Sequence, residues 1–148
     1  MIVLDTSFLV AFYNSRDAHH DAAVGPMKAI IDGRYGPALL LEYVFLELAT
    51  VLAARRDLAT AIHVGDVLLA AKEVELVPCS DLFTATLDVF RSQPSSAGLS
   101  FTDAAIVAVA RERDARHVAS FDTGFARIDG IELVPSPTSP KRRSSPKA

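Results

Sequence analysis

The sequence predicts an α/β protein built on a central, mostly parallel sheet of four or five short strands covered by helices. Two patterns carry that expectation. Short β-type runs at residues 2–4, 38–41, 74–77, 117–121 and 131–134 alternate with segments of helical periodicity. The first of them also passes straight into a helix, as a βαβ unit begins. A third observation bounds the size: 148 residues, half of them hydrophobic, suffice for one core and one domain.

Ile2-Val3-Leu4 stops at Asp5, and Thr6-Ser7 opens the apolar run Phe8-Leu9-Val10-Ala11-Phe12, one or two helical turns. Residues 19–31 read as a helix that tolerates Pro26 only at a kink or break, with Asp32-Gly33 as its stop. The clearest helix follows the strand at 38–41. Val44, Phe45, Leu48, Val51 and Leu52 make one apolar face, Arg55-Arg56 fill the last turn, and Glu47 lies about 100° from the face centre, on the core boundary. Residues 58–71 and 81–90 give two more helices on either side of the strand at 74–77. The Pro, Gly and Ser residues of 92–98 mark an exposed loop. Ser100-Phe101-Thr102-Asp103 then opens a helix over 104–113 so rich in Ala, Val and Ile that it must be buried on most sides. Asp122-Thr123-Gly124 is a turn. Residues 135–148, Pro- and Ser-rich and basic, lack apolar periodicity and are expected to be a disordered tail.

Charge is divided unevenly. Residues 1–134 carry 11 Lys and Arg against 18 Asp and Glu, a net of −7, while the tail holds Lys141, Arg142, Arg143 and Lys147 and no acid. An acidic body excludes nucleic-acid binding by bulk attraction, so any polyanion must have its charge handled locally, as by a metal ion. The single Cys79 excludes an internal disulfide and a cysteine zinc site, fits a reducing compartment, and suits a small core position. Residues 1–10 lack the basic start and cleavage pattern of a signal peptide, and the greasy stretch 37–54 contains Glu42 and Glu47, so no membrane span is expected. The expected location is the cytoplasm.

Ligand crevices of open α/β sheets lie beyond the carboxyl ends of the strands. Asp5 and Asp122 occupy that address, and Asp103 and Glu47 belong to largely buried helices. Brought together, these like charges require protons or a cation, and Mg²⁺ or Mn²⁺, which take oxygen ligands, answer the need. Each acid also has an ordinary reading: Asp5 as a helix cap or Asx-turn, Asp103 as a partner of the helix dipole, Asp122 as a turn aspartate, Glu47 as a boundary charge. Glu42, five residues from Glu47 and so about 140° around the helix, is a rival for its place. His19-His20 is a poor metal pair because adjacent helical residues do not share a face. Arg16, Arg111, Arg113, Arg116 and Arg127 suit solvated faces as well as RNA contacts.

Four segments in order, Ile2-Val3-Leu4-Asp5-Thr6-Ser7, Tyr43-Val44-Phe45-Leu46-Glu47-Leu48, Leu99-Ser100-Phe101-Thr102-Asp103-Ala104-Ala105-Ile106 and Ser120-Phe121-Asp122-Thr123-Gly124-Phe125, resemble the successive motifs of PIN-domain ribonucleases, specifically the VapC toxins of toxin–antitoxin pairs. The resemblance covers residues 1–134. It implies a three-layer α/β/α domain and a metal-dependent endoribonuclease held in check by a cognate antitoxin, acting on RNA and forming a homodimer. By position it implies an acidic site of Asp5, Glu47, Asp103 and Asp122, with Asp5, Asp103 and Asp122 as metal ligands and Glu47 acting through water. Thr6 and Ser7 would support the site, although capping the first helix suits them better. Phe8, Leu9 and Phe12 suit the core better than a groove for an antitoxin helix. The tail is not part of the family pattern.

Other classes fit less well. A phosphoacceptor switch wants a pair of acids after the first strand, and an aspartyl phosphatase wants an acid at position 7, which is Ser7. A PIN-fold module that binds RNA or protein without catalysis is the alternative.

Overall fold

The computed structural model describes residues 1–137, so residues 138–148, with the basic groups of the expected tail, lie outside the described residues. Five strands, β1 (Ile2–Leu4), β2 (Ala38–Leu41), β3 (Val74–Val77), β4 (His117–Ala119) and β5 (Glu132–Val134), form one sheet in the order β3-β2-β1-β4-β5. Every pairing is parallel. Strands this short bury their residues on both faces, which is why β1 and β2 are apolar throughout rather than alternating.

The connections carry α1 (Thr6–Tyr13), α2 (His20–Ile31), α3 (Glu42–Arg55), α4 (Leu58–Ala70), α5 (Phe83–Ser92), α6 (Phe101–Glu112) and a short 3-10 turn, Thr123–Arg127. The chain moves from β1 through β2 to β3 in one direction, then returns past β1 to β4 and β5. Right-handed crossovers therefore place α1 to α4 on one face and α5 with α6 on the other, giving the expected three layers. Packing agrees: α1 meets α2 and α3, α3 meets α4, and α5 lies along α6, which covers β1. The reversal of strand order falls between β1 and β4, the switch point at which such sheets open a crevice.

Several elements differ in detail from the sequence reading. Helix α2 runs through Pro26 without a break. Ala23, Met27 and Ile30 anchor one face of it in the core, enough to outweigh the hydrogen bond that proline cannot donate. Gly33, at φ +78°, ends it as expected. Helix α5 starts two residues late because Leu82 and Phe83 donate back to Cys79 and Ser80 in a turn. The strand expected over 117–121 stops at Ala119, because the Phe121 N–H leaves the ladder for Ser7 Oγ. The 93–99 loop is clasped by the Gln93 amide, which bonds both the N–H and the carbonyl of Leu99.

Phe8 and Leu9 are fully buried and Phe12 packs against them, so the α1 aromatics belong to the core. Cys79 is buried as well. Exposed apolar side chains lie elsewhere, with a group on α4, where Leu58, Ile62 and Leu69 are each more than half exposed. Among the described residues no helix is long and apolar enough to cross a membrane.

Candidate active site

Parallel register brings the site together. Leu4 pairs with Ala119, so the next residues, Asp5 and Ser120, emerge at the same height at the carboxyl edge of the sheet, on the two strands that flank the switch point. Asp5 is 6% exposed, and its Oδ2 accepts hydrogen bonds from Ser120 Oγ at 2.6 Å and Ser7 Oγ at 2.7 Å. Ser120 Oγ in turn accepts the Asp122 N–H at 2.9 Å, and Ser7 Oγ accepts the Phe121 N–H at 3.0 Å. Two serines thus lock the buried carboxylate to the loop that carries Asp122.

Burial pushes the Asp5 carboxyl above its ordinary pKa of 3.8; the hydrogen bonds from Ser120, Ser7 and the Thr6 backbone oppose that, and the nearby Asp122 charge adds to it. Asp103, at the third position of α6, forms a reciprocal capping box: its N–H donates to Ser100 Oγ and its Oδ2 accepts the Ser100 N–H, both at 3.0 Å. Asp103 thus has a local role at the N-terminus of α6, and that role occupies only one oxygen. Burial raises the Asp103 carboxyl too, and the charges of Asp5 and Asp122 push it the same way. Three aspartates drawn from three elements thus share one field. None of them pairs with a Lys or Arg among the described residues.

Asp122 is exposed and also serves its turn, with Oδ1 accepting the Gly124 N–H at 2.9 Å. Glu47 stands apart. Its Oε2 accepts from Thr6 Oγ1 at 2.8 Å and its Oε1 from Thr102 Oγ1 at 2.7 Å, so it reaches the cluster through the residues next to Asp5 and Asp103. One carboxylate on α3 thereby holds the first turns of α1 and α6 in place. Glu42, the rival for that place, instead accepts the Cys79 N–H just beyond β3.

Thr6 and Ser7 do not cap α1, whose N-cap Asp5 makes no side-chain capping bond; their hydroxyls go to Glu47 and Asp5 instead. Carboxylate acceptors win here because a charged oxygen binds a hydroxyl about twice as strongly as a neutral one. Sequence reasoning gave no role to Ser120 or Thr102. Both are set by the fold: the equal register of β1 and β4 brings Ser120 to Asp5, and the packing of α6 brings Thr102 to Glu47.

Among the described residues no three or more His, Cys, Asp or Glu side chains converge closely enough to be a finished metal cage. The donor set nonetheless fits a hard cation: carboxylates and hydroxyls, with like charges gathered around the buried Asp5 and no Lys or Arg counterion among the described residues. Magnesium in particular keeps most of its waters and needs only one or two protein carboxylates.

Removing Ser120 Oγ takes a donor from a buried carboxylate and an acceptor from the Asp122 N–H. Ser120→Ala is expected to cost about 1–3 kcal/mol in thermal unfolding. It also moves the Asp5 titration, followed by carboxyl-carbon NMR, to higher pH.

Fold and site together define a class: a parallel α/β domain with a coupled acidic crevice at its switch point, suited to a divalent cation and an anionic substrate. The chain belongs to the PIN-domain family, whose model matches residues 2–131. A VapC ribonuclease of Archaeoglobus fulgidus is 24% identical over 124 residues, covering 84% of this chain and 78% of that protein. Among solved structures, the sarcin–ricin-loop-cleaving toxin VapC20 of Mycobacterium tuberculosis superimposes with a TM-score of 0.70 at 25% identity, over 82% of this chain and 90% of that one. VapBC2 of Rickettsia felis, solved bound to a DNA fragment of its promoter, gives 0.66 at 18% identity, over 90% and 97%.

Proposed function

We propose that this chain is a metal-dependent endoribonuclease, the toxin of a toxin–antitoxin pair, with Mg²⁺ or Mn²⁺ held by Asp5, Asp103 and Asp122. The observation that carries the reading is the shared field of these aspartates at the switch point, with Asp5 buried and no basic partner among the described residues. Held by these aspartates, a divalent ion would supply positive charge to a phosphate substrate and lower the pKa of a water.

The chain's own residues do the positioning. Asp5 is fixed through one oxygen by Ser7 and Ser120, and Asp103 through one oxygen by its capping box, so each holds a rigid orientation before any ligand arrives. Glu47 is a positioning residue: by bridging Thr6 and Thr102 it sets the spacing of the α1 and α6 N-termini, hence of Asp5 and Asp103. None of these steps needs a nucleophilic side chain.

An antitoxin is the expected partner, and the apolar groove between α3 and α4 is the surface offered to it. That groove holds about 270 Å³ and is lined by Phe45, Ala49, Leu58, Ile62 and Leu69. Gly65 keeps it tight, since a Cβ there would stand 3.2 Å from the Phe45 ring. The family likeness adds a second copy of the chain as partner and the cytoplasm as location. The activity of the VapC20 neighbour makes the sarcin–ricin loop the first substrate to try.

The test is cleavage of structured RNA by purified, antitoxin-free protein with Mg²⁺ or Mn²⁺, beside Asp103→Asn. Wild type is expected to cut and the variant to lose at least about 10²-fold. Equal rates would overturn the site, and absence of any wild-type cleavage would favour a non-catalytic binding module.

A further inference from the structure

We propose that the stacked rings of His19 and Phe121, together with Arg55, form a subsite for one nucleotide of single-stranded RNA beside the acidic crevice. The imidazole stacks a base and the guanidinium holds a phosphate. The inference rests on the nuclease reading for the strand that is presented, and on geometry of its own.

His19 lies 4.5 Å from Phe121 with the rings 10° from parallel, and Phe121 lies 6.1 Å from Phe8 at 24°. Phe8 is wholly buried, Phe121 half-buried and His19 exposed, so three rings run from the core to the surface. The stack is anchored at its inner end and offers its last ring to solvent. Local bonds hold that ring's backbone: the His19 N–H donates to Asp17 Oδ1 at 2.8 Å, and the neighbouring His20 ring bonds the Ala11 carbonyl at 2.8 Å. A ring already held flat loses little further freedom when a base settles on it.

The pair also stands where a substrate strand must pass. A cleft of about 290 Å³ on one side is lined by Thr6, Ser7, Val51 and Arg55 along with His19 and Phe121. Thr6 and Ser7 are the residues that bond Glu47 and Asp5, so this cleft borders the acidic site. A second cleft, also of about 290 Å³, lies on the other side and reaches Ser120, the other hydroxyl on Asp5. The ring pair is a partition between two approaches to one carboxylate.

Arg55 supplies a cation at the lip of the first cleft. It is exposed in the last turn of α3 and has no carboxylate partner among the described residues, whereas Arg113 is paired with Glu75 at 2.8 Å and Arg116 with Glu132 at 4.0 Å. Asp17 also lines the first cleft, but its Oδ1 is engaged by the His19 N–H. An exposed ring and a cation are how single strands and loops are held, since a base inside a duplex has no free face to give.

The experiment is fluorescence anisotropy with a short labelled single-stranded RNA in EDTA at two salt concentrations, using His19→Ala, His19→Phe and Arg55→Gln. His19→Ala is expected to weaken binding about tenfold and His19→Phe to restore it. Arg55→Gln is expected to weaken binding several-fold and flatten the logarithmic salt dependence by about 0.7. Both side chains are exposed, so melting temperatures should stay within about 2 °C of wild type, which separates lost binding from lost folding. Binding by His19→Ala within twofold of wild type, a His19→Phe variant no better than His19→Ala, or no binding by wild type overturns the subsite. Cleavage assayed in parallel tells the two proposals apart. Lost binding in the variants without any wild-type cleavage removes the nuclease reading alone, and intact cleavage with unchanged binding removes the subsite alone.

Discussion

Asp5→Asn is expected to lower RNA cleavage by about 10²–10³-fold while making the metal-free protein more stable at neutral pH. Asparagine keeps an oxygen for the hydroxyls of Ser7 and Ser120, so the packing survives and only the charge is lost. The sign of the stability change follows from the pKa. Burial raises the Asp5 carboxyl in the folded state, so between 3.8 and the raised value the folded protein binds more protons than the unfolded chain. Wild-type stability therefore falls as pH rises through that window, and the deficit persists above it. The Asn variant carries no such deficit. Its melting temperature should exceed that of wild type near pH 7, and the gap should close as the pH falls toward 3.8. Millimolar Mn²⁺ or Mg²⁺ should reverse the order by stabilising wild type through mass action. Thermal melts over pH, with and without metal, check every part. A variant less stable than wild type at pH 7 without metal would show that charge crowding is not what Asp5 contributes.

The largest loss of stability is expected from Phe8→Ala. Phe8 is fully buried in α1 and carries the ring stack that continues through Phe121. Truncating it removes apolar area and leaves a cavity, at about 3–5 kcal/mol, against a total stability of about 5–15 kcal/mol for a domain. Denaturant unfolding should show the midpoint fall with little change in slope. Phe8→Leu, which keeps most of the volume, should cost less than half as much. RNA affinity should drop with Phe8→Ala even under conditions where the protein remains folded, because the platform beneath His19 is lost. A stability cost below about 1 kcal/mol would mean that the core collapses around the gap.

Much of this fold was legible because its determinants are local. The strand at 38–41, the helix over 42–55 and the Gly33 stop follow from apolar period, dipole-matched charges and left-handed backbone, each contained in a short window. The stretch 19–31 was harder. Its proline argued for a break, and only the burial of Ala23, Met27 and Ile30 against the core shows why the helix continues. Among the acids, Asp5 and Asp122 could be found from their places at strand ends. The roles of Thr6 and Ser7 could not, because capping is a local preference and their acceptors lie elsewhere: Thr6 reaches Glu47 on α3, and Ser7 joins Asp5 to the loop after β4.

The sequence by itself determined the class of fold, the acidic body and the family likeness, since these are written in residue type and short-range period, and it named the four acids as candidates. Tertiary structure alone decided how the acids divide their work. Parallel register set Ser120 beside Asp5, and packing of α3 between two helix N-termini turned Glu47 into a bridge between Thr6 and Thr102. It also stacked His19 on Phe121, more than a hundred residues away in the chain. Hydrogen bonds and ring contacts depend on positions within a few tenths of an ångström, and for residues distant in sequence only the assembled sheet and its helices fix positions that finely.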